Sequence, residues 1–224
     1  MNEKADSKNF SSTRAVVFSN GYYACLAGIK QRLRPHDWLI CADGALAKLV
    51  ALDLWPDLLV GDFDSVDQSL LQQAQQRGVE LRTFDREKDY TDTELACREA
   101  VERGCRELLL VGAWGSRLDH SLANLLLLPP YVEQGLTVSL TDGQTDAYLV
   151  RDELVLRQCQ DRLVSILSFT PVARGVTAQG FYWPLQEATL HWGQGLGISN
   201  IPIADAVTIS VTEGLLLVIV TLED

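Results

Sequence analysis

Residues 38–65 read WLICADGALAKLVALDLWPDLLVGDFDS, and this stretch decides the fold. Two short strand-like runs, 38–41 and 57–60, flank a helical pattern over residues 45–52, and both are apolar apart from Asp57. Strands without polar interruptions are typical of parallel strands, because both of their faces are buried. The stretch therefore predicts a strand, a helix and a second, parallel strand.

The same alternation continues on both sides of this stretch. It predicts an α/β fold in which a mostly parallel, Rossmann-like sheet with flanking helices covers residues 14–150. The further predicted strands lie at 15–18, 79–84, 108–111 and 136–140, and the further helices at 22–33, 68–76, 91–102 and 118–128. Residues 1–13 are polar and are predicted to form a disordered leader.

The character of the sequence changes near residue 150. Strand-like runs then follow one another without a convincing helix, and glycine, proline and polar turns separate them. The pattern predicts a smaller all-β sandwich domain over residues 151–224. Its predicted strands lie at 153–156, 163–169, 175–179, 206–211 and 215–222.

The charge balance limits the partners that we expect. Thirty acidic and 19 basic side chains give a net charge of −11, which repels the backbone of nucleic acids. It also repels bare ATP, so a nucleotide would bind together with a divalent cation. The first residues lack the apolar segment of a signal peptide, and the run 215–220 is too short to cross a membrane. We expect a cytoplasmic protein that binds neither nucleic acid nor membrane.

The five cysteines are odd in number and form no Cys-x-x-Cys pair. We interpret them as free, mostly buried thiols in a reducing compartment. A catalytic or zinc-binding cysteine is the alternative interpretation.

Six aspartates are predicted to lie just after strands or at the start of the helices that follow them. Ligands of open α/β sheets bind outside the carboxyl ends of the strands, so these acids should gather at one edge. Their mutual repulsion calls for a cation, and Mg²⁺ prefers oxygen ligands. The pattern predicts a magnesium–nucleotide site. Its candidate acids are Asp43, Asp62, Asp64, Asp89, Asp92 and Asp119.

Helix capping is the competing explanation for each of these acids taken alone. Thr91 and Glu94 form a capping box at the start of a helix, and Ser116 is spaced to cap a helix that contains Asp119. The basic residues Lys88 and Arg117 stand beside the acids and could bind phosphate, although a solvated surface charge is the simpler interpretation.

Several motifs resemble those of the thiamine pyrophosphokinase family, in the same order and at compatible spacing. The resemblance covers the chain from about residue 14 to its end. In the predicted α/β part it rests on residues 42–44 (ADG), 61–65 (GDFDS), 88–96 (KDYTDTELA) and 115–124 (GSRLDHSLAN). In the β part it rests on residues 180–185 (GFYWPL) and 197–200 (GISN).

The resemblance implies a homodimer with active sites at the subunit interface and a reaction between ATP and thiamine that gives AMP and thiamine diphosphate. It implies that the metal ligands are Asp43, Asp62, Asp64 and Asp92, and that Asp119 is a further catalytic residue. It implies that the ATP and phosphate ligands are Asp43, Gly44, Lys88, Asp89, Thr91, Arg117 and His120. It implies that thiamine is bound by Trp183, Ser199 and Asn200.

Two positions depart from the family pattern, since Ala45 and Ser116 stand where glycines are usual. Both side chains are small, so a close backbone approach is weakened rather than lost. Two other functions stay open: a magnesium-dependent hydrolase of nucleotides or diphosphates, and a non-catalytic nucleotide or vitamin sensor. Trp183 could also be a core residue of the sandwich instead of a substrate ligand.

Overall fold

The structure is a computed structural model that describes residues 13–85, 89–115 and 117–222. Its strands are β1 (Arg14–Phe18), β2 (Trp38–Ala42), β3 (Leu58–Gly61), β4 (Glu80–Thr83), β5 (Glu107–Val111), β6 (Thr137–Thr141), β7 (Asp146–Val150), β8 (Glu153–Arg157), β9 (Arg162–Ser168), β10 (Val172–Gln179), β11 (Leu185–His191), β12 (Gly197–Asn200), β13 (Ala206–Ser210) and β14 (Leu216–Leu222). Its helices are α1 (Leu26–Arg32), α2 (Leu46–Val50), α3 (Gln68–Gln76), α4 (Asp92–Glu102), α5 (Leu118–Leu126) and α6 (Pro129–Glu133), and a 3-10 turn, Asp43–Ala45, precedes α2.

The chain divides into two compact units. The first comprises Met1–Asn20 and Leu33–Leu109, and the second comprises Gly21–Arg32 and Leu110–Asp224. Among the described residues, no helix has both the length and the apolar character that a membrane span needs.

The first unit contains the predicted parallel strands. β1, β2, β3 and β4 pair side by side in this order, and every pair is parallel. The strands β1 and β3 are buried along their whole length, as their apolar sequences predict. The carboxyl ends of β2 and β3 therefore lie next to each other, which places the residues that follow them side by side.

Side-chain caps set the starts of two helices in this unit. The Asp67 carboxylate accepts hydrogen bonds from the backbone N–H groups of Ser69 (2.8 Å) and Leu70 (3.1 Å) at the start of α3. The Thr91 hydroxyl accepts from the N–H of Glu94 (3.2 Å) at the start of α4. The predicted cap at Thr91 is confirmed.

The second unit contains the antiparallel strands. β12, β9, β14, β7 and β6 pair in this order, and β11, β10, β13 and β8 form a separate sheet. The apolar faces of both sheets pack into a common core, to which Val164 and Val218 contribute from one side and Val176 and Ile209 from the other. The predicted run of β-strands after residue 150 is confirmed, and one of them, β14, also pairs with β7, which precedes residue 150.

The sequence misplaced several elements of the second unit. α1 begins at Leu26 rather than at residue 22, because the N–H groups of Gly21 and Tyr22 bond to the carbonyls of Gly112 and Trp114 at 2.8 and 2.6 Å. The prolines at 129 and 130 begin α6 instead of merely ending a helix, which fits the tolerance of a helix N-terminus for proline. The strands β7, β11 and β12 were not predicted. Register shifts interrupt the pairing of β11 with β10 and that of β12 with β9.

Candidate active site

Three of the predicted acids come together in the first unit. Asp43 follows β2, and Asp62 and Asp64 follow β3. Each of the three offers one carboxylate oxygen, and these oxygens all lie within 4.8 Å of one another. Such a set of oxygen donors suits a hard divalent cation such as Mg²⁺, which would also relieve the repulsion among the carboxylates. We call this group the aspartate cluster.

The turn after β3 wraps around Asp43. The Oδ1 atom of Asp43 accepts a hydrogen bond from the N–H of Phe63 (3.0 Å), and its Oδ2 atom accepts one from the Ser65 hydroxyl. Within the turn, Asp62 Oδ1 accepts from the N–H of Asp64 (3.1 Å). Asp43 is only 9% exposed, so these bonds offset much of the cost of burying its charge. The role of Ser65 was missed, although the residue lies in one of the quoted motifs.

Two glycines make this close approach possible. Gly61 has a φ of +155°, and a Cβ atom there would lie 2.8 Å from the Cβ of Asp43. A Cβ atom on Gly44 would lie 2.7 Å from the side-chain nitrogen of Asn20 and 3.1 Å from the Ser65 hydroxyl oxygen. A larger residue at the predicted phosphate ligand Gly44 would therefore have to displace the side chains of Asn20 and Ser65, next to the aspartate cluster.

The predicted site residues around the start of α4 are not members of this cluster. Asp92 is the first residue of α4 and is half-buried, and it is not among the acids whose oxygens approach within 4.8 Å. The Thr91 hydroxyl serves as the helix cap, and Asp89 is exposed in a bend before it. The Thr93 hydroxyl lies 3.0 Å from that of Ser19, which ties the first turn of α4 to the end of β1. Lys88 lies outside the described residues.

In the second unit, Arg117 forms a bidentate ion pair with Asp119. The two contacts measure 2.5 and 3.2 Å, and both side chains are largely exposed. The guanidinium holds the pKa of Asp119 at about 2, and the carboxylate in turn raises the pKa of Arg117. As long as this pair is intact, Asp119 is a weak base. His120 is exposed in the first turn of α5, and Ser116, the predicted cap of this helix, lies outside the described residues.

The loop before Arg117 is held by side chains of α5 and by Asp142. Asp142 accepts a hydrogen bond from the indole N–H of Trp114 (3.0 Å), and Ser121 accepts one from the N–H of Gly115 (3.0 Å). The buried Asn124 amide donates to the carbonyl of Ala113 (2.6 Å). Sequence reasoning assigned no role to Asp142, because 28 residues separate it from Trp114.

The predicted thiamine ligands lie on the second unit. Trp183 is 54% exposed, so the alternative interpretation as a core residue is wrong. Its ring meets that of Tyr182 edge to face, with 4.8 Å between the ring centroids. Ser199 is exposed, with a φ of +54°, and its N–H donates to the Ser165 hydroxyl (3.1 Å). Asn200, in contrast, is only 3% exposed.

The cysteines are free thiols, and most of them are buried. All five are free, four are buried and Cys25 is half-buried, which confirms the predicted free thiols. Burial raises the pKa of Cys97 to about 12 and that of Cys105 to about 11. These thiols therefore stay protonated at neutral pH, and a protonated thiol is neither a nucleophile nor a metal ligand.

The comparisons with known proteins agree with these features. Residues 29–140 match the family model for the thiamin pyrophosphokinase catalytic domain, and residues 153–216 match the model for the thiamin pyrophosphokinase vitamin B1 binding domain. The chain is 28% identical to a thiamine pyrophosphokinase from Bacillus subtilis over 186 residues, which cover 82% of this chain and 87% of that protein.

Solved structures show the same relationship. A thiamine pyrophosphokinase from Bacillus subtilis has a TM-score of 0.84 and 25% identity, over 94% of this chain and all of that one. One from Geobacillus thermodenitrificans has a TM-score of 0.82 and 26% identity, over 94% and 98% of the two chains. A thiamin pyrophosphokinase from Candida albicans, at 13% identity and a TM-score of 0.76 over 96% and 90%, shares the fold.

Proposed function

The chain belongs to the thiamine pyrophosphokinase family, and we propose how its residues carry out the reaction of that family. The reaction transfers the diphosphate of ATP to the hydroxyl of thiamine and yields thiamine diphosphate and AMP. The chain is accordingly an ATP-dependent diphosphotransferase. Catalysis of phosphoryl-type transfer consists mainly of positioning the reactants and offsetting their charge, which is what this set of residues can do.

The aspartate cluster carries the proposal, because it supplies three carboxylates within 4.8 Å of one another at the ends of neighbouring parallel strands. Asp43, Asp62 and Asp64 would hold Mg²⁺, and Asp92 is a fourth proposed ligand. When bound, Mg²⁺ offsets the negative charge of the phosphates. The Ser65 hydroxyl and the N–H of Phe63 hold the Asp43 carboxylate in place through hydrogen bonds.

The remaining residues of the nucleotide site orient and neutralise the triphosphate. Lys88 and Arg117 are proposed to contact phosphate oxygens, Lys88 as a point charge and Arg117 bidentately. Gly44, Asp89, Thr91 and His120 complete the proposed ATP site.

Arg117 now binds Asp119, and phosphate binding would draw the guanidinium away from this carboxylate. The pKa of Asp119 would then rise toward its ordinary value. This change would make the carboxylate a better acceptor for the proton of the attacking hydroxyl.

Thiamine is proposed to bind through Trp183, Ser199 and Asn200. The exposed Trp183 ring offers a face to a flat, positively charged substrate, which favours cation–π contact. We assign residues 14–150 to catalysis and nucleotide binding and residues 151–224 to thiamine binding. The residues 1–13 that precede them are mostly outside the described part of the chain.

We also propose a cytoplasmic homodimer with its active sites at the subunit interface. One face of α5 supports the dimer, because Leu118, Leu122 and Leu126 follow one another at helical spacing and are 69%, 49% and 67% exposed. Contiguous exposed apolar patches are a mark of protein interaction sites.

Product analysis tests the function. The protein is incubated with ATP, Mg²⁺ and thiamine, and AMP and thiamine diphosphate are quantified. We expect the two products in equal amounts, and AMP only when thiamine is present. Phosphate release without thiamine would indicate a hydrolase, and binding without turnover would indicate a sensor; either result would overturn the proposal.

A further inference from the structure

The segment around Trp183 is held by a short antiparallel ladder of backbone hydrogen bonds, which ends at the side chain of Asn200. The chain around residues 180–183 runs antiparallel to that around 200–203: the N–H of Tyr182 donates to the carbonyl of Ile201 (2.9 Å), and the N–H of Ile203 to that of Gly180 (2.8 Å). Phe181 points into the sandwich core and is 3% exposed. Strand alternation would send the Trp183 ring inward as well, yet it is exposed.

At Trp183 the side chain of Asn200 takes the place of a backbone partner in this ladder. Its Oδ1 atom accepts from the N–H of Trp183 (3.1 Å) and also from that of Ile201 (3.0 Å). Its Nδ2 atom donates to the carbonyl of Trp183 (2.7 Å). The amide thus binds both backbone groups of Trp183, and Pro184 restricts the same residue to an extended conformation from the other side.

These bonds leave Asn200 without capacity for a substrate. An amide oxygen has two lone pairs, and both are used here. The residue is 3% exposed, so a ligand could not reach its remaining N–H. The neighbouring Ser199 differs, because it is exposed and its hydroxyl makes no hydrogen bond within the part of the chain that the structure describes.

We infer that Asn200 is a positioning residue, which acts on thiamine only by holding the backbone of Trp183 so that the indole stays in solvent as a binding face. The ring of Tyr182, edge to face against that indole, supports it from the side. This inference rests on the proposed binding of thiamine by Trp183. It revises the assignment of Asn200 as a direct thiamine ligand.

A double-mutant cycle between Asn200 and Trp183 tests the inference. Asn200→Asp keeps the acceptor oxygen Oδ1 but replaces the donor Nδ2 by a second acceptor, which faces the Trp183 carbonyl. We expect it to raise the KM for thiamine about tenfold, while the KM for ATP and the kcat change less than about twofold. In the Trp183→Ala background the same substitution should change the KM for thiamine by less than about twofold, because the ring that it positions is gone.

A direct ligand would behave differently. If Asn200 touched thiamine, its substitution would raise the KM for thiamine about tenfold in both backgrounds, and the inference would be wrong. It would also be wrong if Asn200→Asp altered the KM for ATP and the kcat as strongly as the KM for thiamine, since that pattern indicates a general structural role.

Two further measurements keep the outcome clear. Asn200→Thr, which keeps one acceptor in a smaller side chain, is carried through the same cycle, and thermal melting of each variant identifies any that do not fold. A wild-type protein that makes no thiamine-dependent AMP would refute the proposed function itself. If the wild type is active and the Asn200 and Trp183 substitutions change the KM for thiamine by independent, multiplicative factors, only the inference about Asn200 is refuted.

Discussion

Replacing Ser65 by alanine probes a contact to the aspartate cluster that the sequence did not predict. The substitution removes the hydroxyl that donates to Oδ2 of Asp43, a carboxylate of a residue that is 9% exposed. A hydrogen bond to a charged group contributes about 1.5–3 kcal/mol. For a chain of this length, that loss should lower the melting temperature by roughly 3–12 °C.

Ser69→Ala is the matched control for this variant. The Ser69 hydroxyl also donates to a carboxylate, that of Asp67 (2.5 Å), but both residues are exposed. Water replaces an exposed bond of this kind easily, so we expect a loss of about 0.5 kcal/mol or less. Thermal melting and thiamine-dependent AMP formation are measured for both variants. Equal melting temperatures and equal activity in the two would refute the role given to Ser65.

Two more predictions concern Arg117 and Gly61. In a titration followed by carboxylate NMR, Asp119 should have a pKa of about 2, and Arg117→Gln should return it toward its ordinary value. Because the pKa of Asp119 is depressed in the folded state, its ion pair with Arg117 is intact at neutral pH and is lost only as the pH falls through about 2. An unchanged pKa of Asp119 in Arg117→Gln would contradict the pairing. Gly61→Ala should abolish activity, because the new Cβ would lie 2.8 Å from that of Asp43. Gly78→Ala is the control, since Gly78 has a φ of +77° and no atom within 4 Å of the added Cβ. It should cost only about 1–2 kcal/mol of stability and leave activity intact. Similar activities in the two alanine variants would contradict the steric argument.

The sequence predicted the part of the site that follows from a parallel sheet. Asp43, Asp62 and Asp64 could be grouped because they follow two apolar strands of such a sheet, and the carboxyl ends of its strands lie at one edge. The cap at Thr91 could be predicted for a similar reason, since its partner lies three residues away. Both arguments need only local patterns and one rule of topology.

The contacts that could not be predicted join backbone and side chains over long distances in the sequence. Ser65 meets Asp43 because the turn after β3 folds against the residue that follows β2. The amide of Asn200 meets the backbone of Trp183 across 17 residues. The strands β11 and β12 were missed because their burial does not alternate regularly and their pairing is shifted. Nothing in the local pattern records such contacts.

The effect of Asp64→Asn on thiamine-dependent AMP formation tests the central claim most directly. Asparagine keeps the size of the side chain but removes one negative charge from the aspartate cluster. Asp161→Asn is the control, because the side chain of Asp161 is 79% exposed and lies outside every proposed site. We predict that Asp64→Asn lowers kcat at least about 100-fold, the loss expected for one electrostatic contact to the reacting phosphates, and leaves the melting temperature nearly unchanged. Near-normal turnover in this variant, at the level of the Asp161→Asn control, would contradict the assignment of the aspartate cluster to diphosphate transfer.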